Sequence, residues 1–486
     1  MSRNIVHMPF AYRIVWQIVF IASLASGSDL PNEAIKDPLE GGYAVVVSKT
    51  TQADPAWNKV VDALVAKHSA TVIAYDSDVA SSLAALREHM PRYACFVARP
   101  EEAGRGFVVK IHRLTRRLND DPYTDLLWGI ITGYDPKDAL RIASVQQPLL
   151  IHKGAAGTGL NLDAFDEGIW FNEGVSGEYW RKSAGGHAEK FSGPADNITA
   201  IADMLNVYQP EFFLTSGHAS EHDWQPGYAF KDGDLRSHDG KLIGRDLKGA
   251  LHPIDSPSPK VYLGAGNCLI GHIKDKQSMA LAWLGSGGAN QVVGYTVVTW
   301  FGAMGWGTRD YFFDLSGRYT LAESFYFSNQ LITNQLQTRF PDKAGVEFDA
   351  WDVETHPELL DQYAKKLSGD KPEKNMHDLL GLLWDHDTVA FYGDPAWVAR
   401  LASHAPPLST TLIEKDGVWH FVIHANETCT PSKPLAMFFS KRLKNIEILS
   451  GKEFEPLITT GFIMLLKPGS FKAGQEYEVV FKAKEL

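Results

Sequence analysis

The chain has 486 residues, 44% hydrophobic and 22% charged, the composition of a globular protein of about two to four domains. Lys+Arg 47 against Asp+Glu 58 leaves a net charge of −11, which repels phosphate and argues against a nucleic-acid binder. Three cysteines, Cys95, Cys268 and Cys429, are too few for a disulfide scaffold and leave at least one thiol over.

Arg3 and Arg13 precede an apolar stretch, Ile14 to Gly27, that closes on the small residues Ser23, Ala25 and Gly27. It is shorter than the roughly 20 residues a bilayer span needs. Residues 1–27 therefore read as a secretory signal peptide, with an uncleaved anchor as the alternative. That implies a secreted, cell-surface or periplasmic protein with no membrane span after signal removal. A polar linker follows over 28–42.

A βαβ rhythm then begins. YAVVV (43–47), TVIAY (71–75) and YACFV (93–97) read as buried strands. Between them, DPAWNKVVDALVAKHS carries apolar residues at helical spacing behind a capping Asp54 and Pro55, and VASSLAALREHM gives a second helix. Such alternation predicts an α/β fold with a mostly parallel sheet covered on both faces. Cys95 falls inside a strand and reads as core. Residues 121–143 give a strand, a turn and a helix, and QPLLIH (147–152) a further strand. GAAGTG (154–159) lacks the residue order of a phosphate loop and reads as a small-residue loop.

Residues 160–195 show no clean period. NITAIADMLNVYQ (197–209) is helical and EFFL (211–214) a strand. A long loop is expected over 219–258, then a strand, KVYLGAG (260–266), running into Asn267–Cys268. SMALAWLG (278–285) is a helix, QVVGYTVVTW (291–300) a strand, and a long helix covers about 317–338. A charged region reaches about 380, and TVAFYGDPAW (388–397) makes a strand and tight turn. Beyond HAPPL (404–408), short strands separated by Gly, Pro and Lys predict a small β-sandwich of immunoglobulin type. Cys429 lies in a turn-like stretch of it.

TSGHASEHDW (215–224) admits two readings. It contains H-x-x-E-H (His218, Glu221, His222), a zinc-binding spacing that requires both histidines on one helix face. Gly217 before it and Gln225-Pro226-Gly227 after it leave barely two turns, and no glutamate follows until Glu323. Zinc is therefore disfavoured. The second reading pairs two strand ends, EFFL leading to His218 and KVYL leading to Cys268. In open α/β sheets, groups just past the carboxyl ends of strands share one crevice. An imidazole beside a thiol yields a thiolate nucleophile, and Gly217, Gly264, Gly266 and Gly271 let backbone approach a substrate. The alternative is one buried cysteine and one loop histidine.

These segments carry a resemblance. GHASEHDW resembles the Gly-His-Gly-Ser-Glu-x-x-Trp segment of the gingipain-like cysteine peptidases, in the caspase-type clan. VYLGAGNCLIG, DDPYTDLLWG, VTWFGAMGWG and AFYGDPAW are similar to further segments of that family, and the likeness covers about 43–486. It implies a caspase-like three-layer sandwich in two subdomains, 43–145 and 146–404, followed by an immunoglobulin-like β-sandwich over 405–486. It also implies an endopeptidase acting on proteins or peptides through a thioester acyl-enzyme. Cys268 would be the nucleophile and His218 its acid/base partner. Backbone N–H groups of Ala219 and Cys268 would form the oxyanion hole, and Thr299, Trp300, Phe301 and Trp306 would line the substrate pocket. No catalytic metal or organic cofactor is expected, with calcium left open as a structural ion.

Two departures stand out. Ala219 replaces the family's glycine after the histidine. Where the family places an acid that orients the histidine, HKGAAG (152–157) offers Lys153 and no carboxylate. Asp163, Asp166 and Glu173 are the nearby substitutes. A catalytically impaired member acting as a surface or protein-binding module is the alternative function.

Overall fold

The computed structural model describes residues 41–349, 356, 358–368, 375–402 and 406–486. The expected signal peptide, most of the linker and the boundary at 404/405 lie outside the described residues. The strands, in chain order, begin with β1 (Tyr43–Ser48), β2 (Thr71–Tyr75), β3 (Tyr93–Val97), β4 (Leu127–Ile131), β5 (Leu149–Ile151) and β6 (Lys153–Ala156). Next come β7 (Glu167–Phe171), β8 (Glu178–Lys182), β9 (Glu189–Ser192) and β10 (Phe212–Thr215). Then follow β11 (Asp223–Trp224), β12 (Asp234–His238), β13 (Lys241–Arg245), β14 (Leu251–Ile254), β15 (Lys260–Gly264), β16 (Ala289–Tyr295), β17 (Val389–Tyr392) and β18 (Ala399–Leu401). The helices are α1 (Lys49–Ala53), α2 (Pro55–His68), α3 (Leu83–His89), α4 (Arg105–Thr115), α5 (Pro136–Ser144), α6 (Ile198–Asp203), α7 (Met279–Leu284), α8 (Ala303–Phe313), α9 (Leu321–Arg339), α10 (Glu358–Ser368) and α11 (Met376–His386).

The described residues build a twelve-stranded sheet in the order β2-β1-β3-β4-β17-β16-β15-β10-β6-β7-β8-β9. Strands β1 to β4 are mutually parallel and β17 joins them in the same sense. Strands β16, β15, β10, β6 and β7 form a second parallel set, which meets the first at the antiparallel β16/β17 pair. The apolar runs are long because these strands are buried on both faces, as β1 is at every residue. Asp54 caps α2 through the N–H groups of Ala56 and Trp57, and Trp57, Val60, Val61 and Leu64 turn inward. Cys95 is fully buried.

Three stretches differ from the sequence expectation. The Gly-rich 154–159 stretch begins inside β6, beside β10 in the large sheet, while β5 pairs only with β18 outside it. Its residues are small because neighbours fill the space: a Cβ at Gly157 would lie 2.3 Å from the Trp224 ring. Residues 160–195 supply β7 to β9. The expected long loop holds a four-stranded antiparallel sheet, β11-β12-β13-β14. Its buried side chains are few (Leu235, Leu242 and Ile254 among them), so the polar alternation read as loop.

Helices α8, α9 and α11 pack on one another and against β4, β15 and β16. The C-terminal residues form seven further strands, β19 (Leu408–Lys415), β20 (Val418–Ala425), β21 (Leu435–Phe438), β22 (Leu443–Ser450), β23 (Pro456–Ile458), β24 (Phe462–Leu465) and β25 (Glu476–Glu485). They make two antiparallel sheets, β19-β20-β25-β22 and β21-β24-β23, around a core that includes Phe421, Ile423, Ile463 and Phe481. Phe438 and Phe462 reach α9, where they meet Tyr326 and Phe327. Among the described residues no helix is long and apolar enough to cross a membrane.

Candidate active site

Strands β10 and β15 are parallel neighbours, with Thr215 opposite Gly264. The chain leaves β10 as Ser216-Gly217-His218 and leaves β15 as Ala265-Gly266-Asn267-Cys268, so both segments emerge at one sheet edge. A fully buried side chain, Asn267, ties them together. Its Oδ1 accepts from Thr215 Oγ1 at 2.6 Å, and its Nδ2 donates to the Gly217 carbonyl at 3.1 Å. Thr215 Oγ1 has given its proton to Asn267, so at 2.7 Å it accepts from the buried Tyr262 hydroxyl. The residue before the cysteine thus holds the residue before the histidine. The approach is close: a Cβ at Gly266 would stand 2.6 Å from Ser216 Oγ and 3.1 Å from the Trp306 ring.

Cys268 is partly exposed. The Thr299 N–H donates to its sulfur at 3.3 Å, a contact that favours the thiolate. Thr299 Oγ1 donates to the Asn267 carbonyl at 2.9 Å. Leu269, immediately after, sits in the left-handed region at φ 58°, a conformation that costs a leucine about 1–3 kcal/mol and is kept only where the surroundings hold it. Its N–H donates to the Val297 carbonyl at 3.0 Å.

His218 is exposed, and its ring stacks on Tyr228 with centroids 5.0 Å apart and planes 20° apart. The left-handed residue of this loop is Gly217, at φ 88°, and Ala219 is not among the residues with positive φ. The alanine after the histidine therefore carries no backbone strain of that kind. Ala219 instead forms a bridge to Trp224, whose indole N–H donates to the Ser216 carbonyl at 2.8 Å.

Of the three substitute carboxylates, one lies close. Asp166 contacts His152 at 2.7 Å before the start of β6, at the far end of the strands. Asp163 is exposed, 4.0 Å from Lys182. Glu173 follows β7 at the near edge. Its Oε1 accepts from Thr158 Oγ1 at 2.8 Å, while Oε2 is buried and has no hydrogen-bond partner. Oε2 lies 3.7 Å from where a Cβ on Gly217 would be. Burial pushes the Glu173 carboxyl up from its ordinary value, against the opposing Thr158 hydrogen bond.

The expected pocket residues divide into two groups. Thr299 touches Cys268 and Trp306 packs over Gly266. Trp300 and Phe301 lie against α11, with Trp300 5.2 Å from the His377 ring and Phe301 filling the space left by Gly381. Trp306 belongs to α8 rather than to a loop. The N-terminus of α8 is anchored by Asp385, whose Oδ2 accepts from the Tyr295 hydroxyl at 3.0 Å and from the Met304 N–H at 2.9 Å. Burial pushes the Asp385 carboxyl up to about 7. Arg309, one turn on, lies 4.5 Å over the Trp306 ring.

The zinc arrangement is not formed. Residues 218–222 are loop, not helix. Glu221 pairs with Lys274, and His222 faces Asp275 at 3.0 Å. These two pairs tie the histidine loop to the segment after Cys268, a role the motif reading missed. Asn267 and Tyr228 were missed as well. Asn267 carried one signal, a polar residue soon after the apolar run Val261–Leu263; Tyr228 carried none, because only the folded loop returns it to His218.

Replacing Asn267 with alanine leaves the Thr215 hydroxyl and the Gly217 carbonyl without their buried partner. Each orphaned group costs about 1–3 kcal/mol. The expected outcome is a drop in urea stability of about 2–4 kcal/mol and a fall in Cys268 alkylation at neutral pH. An unchanged denaturation midpoint would show that Asn267 ties nothing together.

No protein-family model and no curated protein matches the chain. Two of the solved structures similar to it are gingipain structures. The Arg-specific cysteine proteinase gingipain R (RgpB) is 11% identical with a TM-score of 0.40, the match covering 91% of this chain and 98% of that one. The complex of the Porphyromonas gingivalis RgpB pro- and mature domains is 10% identical with a TM-score of 0.39, covering 90% and 99%.

Proposed function

We propose that the chain is an exported cysteine endopeptidase in which Cys268 and His218 act as a dyad. The observation that carries this reading is the Asn267 tie, which sets a partly exposed sulfur and an exposed imidazole on adjoining segments of one sheet edge. In the proposed reaction the Cys268 thiolate attacks the scissile carbonyl. The N–H groups of Ala219 and Cys268 stabilise the oxyanion, and the His218 imidazolium gives its proton to the leaving amine. Water, deprotonated by neutral His218, then hydrolyses the thioester and restores the thiol. The proposed divisions are 43–145, 146–404 and an immunoglobulin-like 405–486, with β17 of the second lying in the first parallel set beside β4.

The test is chemical. Iodoacetamide is expected to label Cys268 ahead of Cys95, whose thiol is fully buried and pushed well up by that burial. Hydrolysis of labelled casein is expected to disappear in proportion to labelling, and a chelator to leave the rate unchanged. Hydrolysis that survives full labelling of Cys268 overturns the proposal. Labelling of a protein that hydrolyses nothing favours the protein-binding module instead.

A further inference from the structure

We infer that Tyr228 is a positioning residue for His218, holding the imidazole by its ring face. The inference rests on the dyad reading above. An exposed histidine needs a restraint if it is to stay aimed at a neighbour, and among the described residues no hydrogen bond reaches the His218 ring. Its restraint is the stacked phenol, at 5.0 Å and 20°. The groups around it are spoken for. Glu173 directs its carboxyl toward Thr158 and the Gly217 backbone. Glu221 and His222, on the same loop as His218, are turned to Lys274 and Asp275. Cys268 lies on the adjoining segment.

Tyr228 is itself fixed by backbone. Its N–H donates to the Glu173 carbonyl at 2.7 Å and the Ala229 N–H donates to the same oxygen at 3.1 Å. The Gln225 N–H donates to the His218 carbonyl at 2.9 Å, closing the loop between the two rings. Glu173 therefore places the tyrosine with its main chain, and its side chain lies beside Gly217. The tyrosine is 61% exposed, so it contributes little to the core, and its ring stacks on the imidazole. The phenol ring packed on the imidazole face limits the orientations open to His218. Imidazolium is the partner of the resting thiolate and the acid that protonates the leaving amine.

The experiment compares wild type, Tyr228→Ala and Tyr228→Phe. It reads the pH dependence of iodoacetamide alkylation of Cys268, and kcat and KM on labelled casein. Tyr228→Ala is expected to lower alkylation at about pH 6–7 by about two- to fivefold and move its rise toward that of an ordinary thiol. kcat is expected to fall by a similar factor with KM little changed. Tyr228→Phe keeps the ring and is expected to match wild type. A Tyr228→Ala profile that superimposes on wild type overturns the inference, as does a Tyr228→Phe variant as impaired as Tyr228→Ala. In both cases a reactive wild-type Cys268 leaves the dyad standing. A wild-type Cys268 that titrates as an isolated thiol, with no hydrolysis, overturns the dyad and the inference together.

Discussion

Cys268→Ala is expected to cut casein hydrolysis by at least about 10⁴-fold while changing urea stability by less than about 1.5 kcal/mol. The two effects separate because the sulfur is partly exposed and accepts from the Thr299 N–H at 3.3 Å. Removing it leaves an N–H at a solvent-facing site, not a buried void. His218→Ala is expected to cost about 10²- to 10⁴-fold and to slow alkylation of Cys268 at neutral pH. The decisive measurement is the double variant. Residues that act as one unit are strongly non-additive, so Cys268→Ala/His218→Ala is expected to be no slower than Cys268→Ala. A His218→Ala enzyme of wild-type rate would remove the histidine from the mechanism. A double variant slower than Cys268→Ala by the full His218 factor would show that the two act on separate steps.

The sequence carried the buried strands well because burial on both faces leaves unbroken apolar runs, as in YAVVV and KVYL. It also carried the two strands β10 and β15, parallel neighbours whose ends lead to His218 and Cys268. What it hid follows from local physics. In β6 the run Gly-Ala-Ala is small, with the Phe165 ring occupying the space beside Gly154, and small residues read as loop. In β12 the apolar position is a single leucine between charges, and in β13 a Leu-Ile pair is flanked by Lys241 and Gly244-Arg245. The loop that closes on His218 depends on Tyr228 and Glu173, which are brought together by main-chain bonds that no side-chain pattern encodes. Ala219 looked like a strained substitution, but the turn places its left-handed residue at Gly217. Trp300 and Phe301, paired in sequence with Thr299, face α11 because Gly381 opens a gap for the Phe301 ring.

Asp394→Asn is expected to destabilise the protein by about 3–5 kcal/mol at neutral pH, because it strips the counter-charge from a buried cluster. Asp394 follows β17 in the Gly-Asp-Pro turn and its side chain is 1% exposed. Its Oδ1 accepts from the Tyr43 hydroxyl at 2.8 Å and the Ala396 N–H at 2.9 Å. Its Oδ2 accepts from Lys67 Nζ at 2.9 Å and meets His68 Nε2 at 2.7 Å. Tyr43 opens β1 and Lys67 and His68 end α2, so one carboxylate joins the turn to both elements. Through its carbonyl, which accepts from Gln291 Nε2 at 2.9 Å, the same residue also reaches β16 in the other half of the sheet. Burial alone would raise the carboxyl, but His68 and Lys67 outweigh it and hold the group well below the usual carboxylate range. A depressed folded-state value means the stabilisation is fully present above the unfolded value of about 3.9 and is lost as pH falls below it. The gap between wild type and Asp394→Asn in urea midpoint is therefore expected to be largest above about pH 5 and to narrow below about pH 4. A gap that stays constant down to acid pH would mean that the variant loses packing and hydrogen-bond geometry, and that the charge of Asp394 does not join the halves.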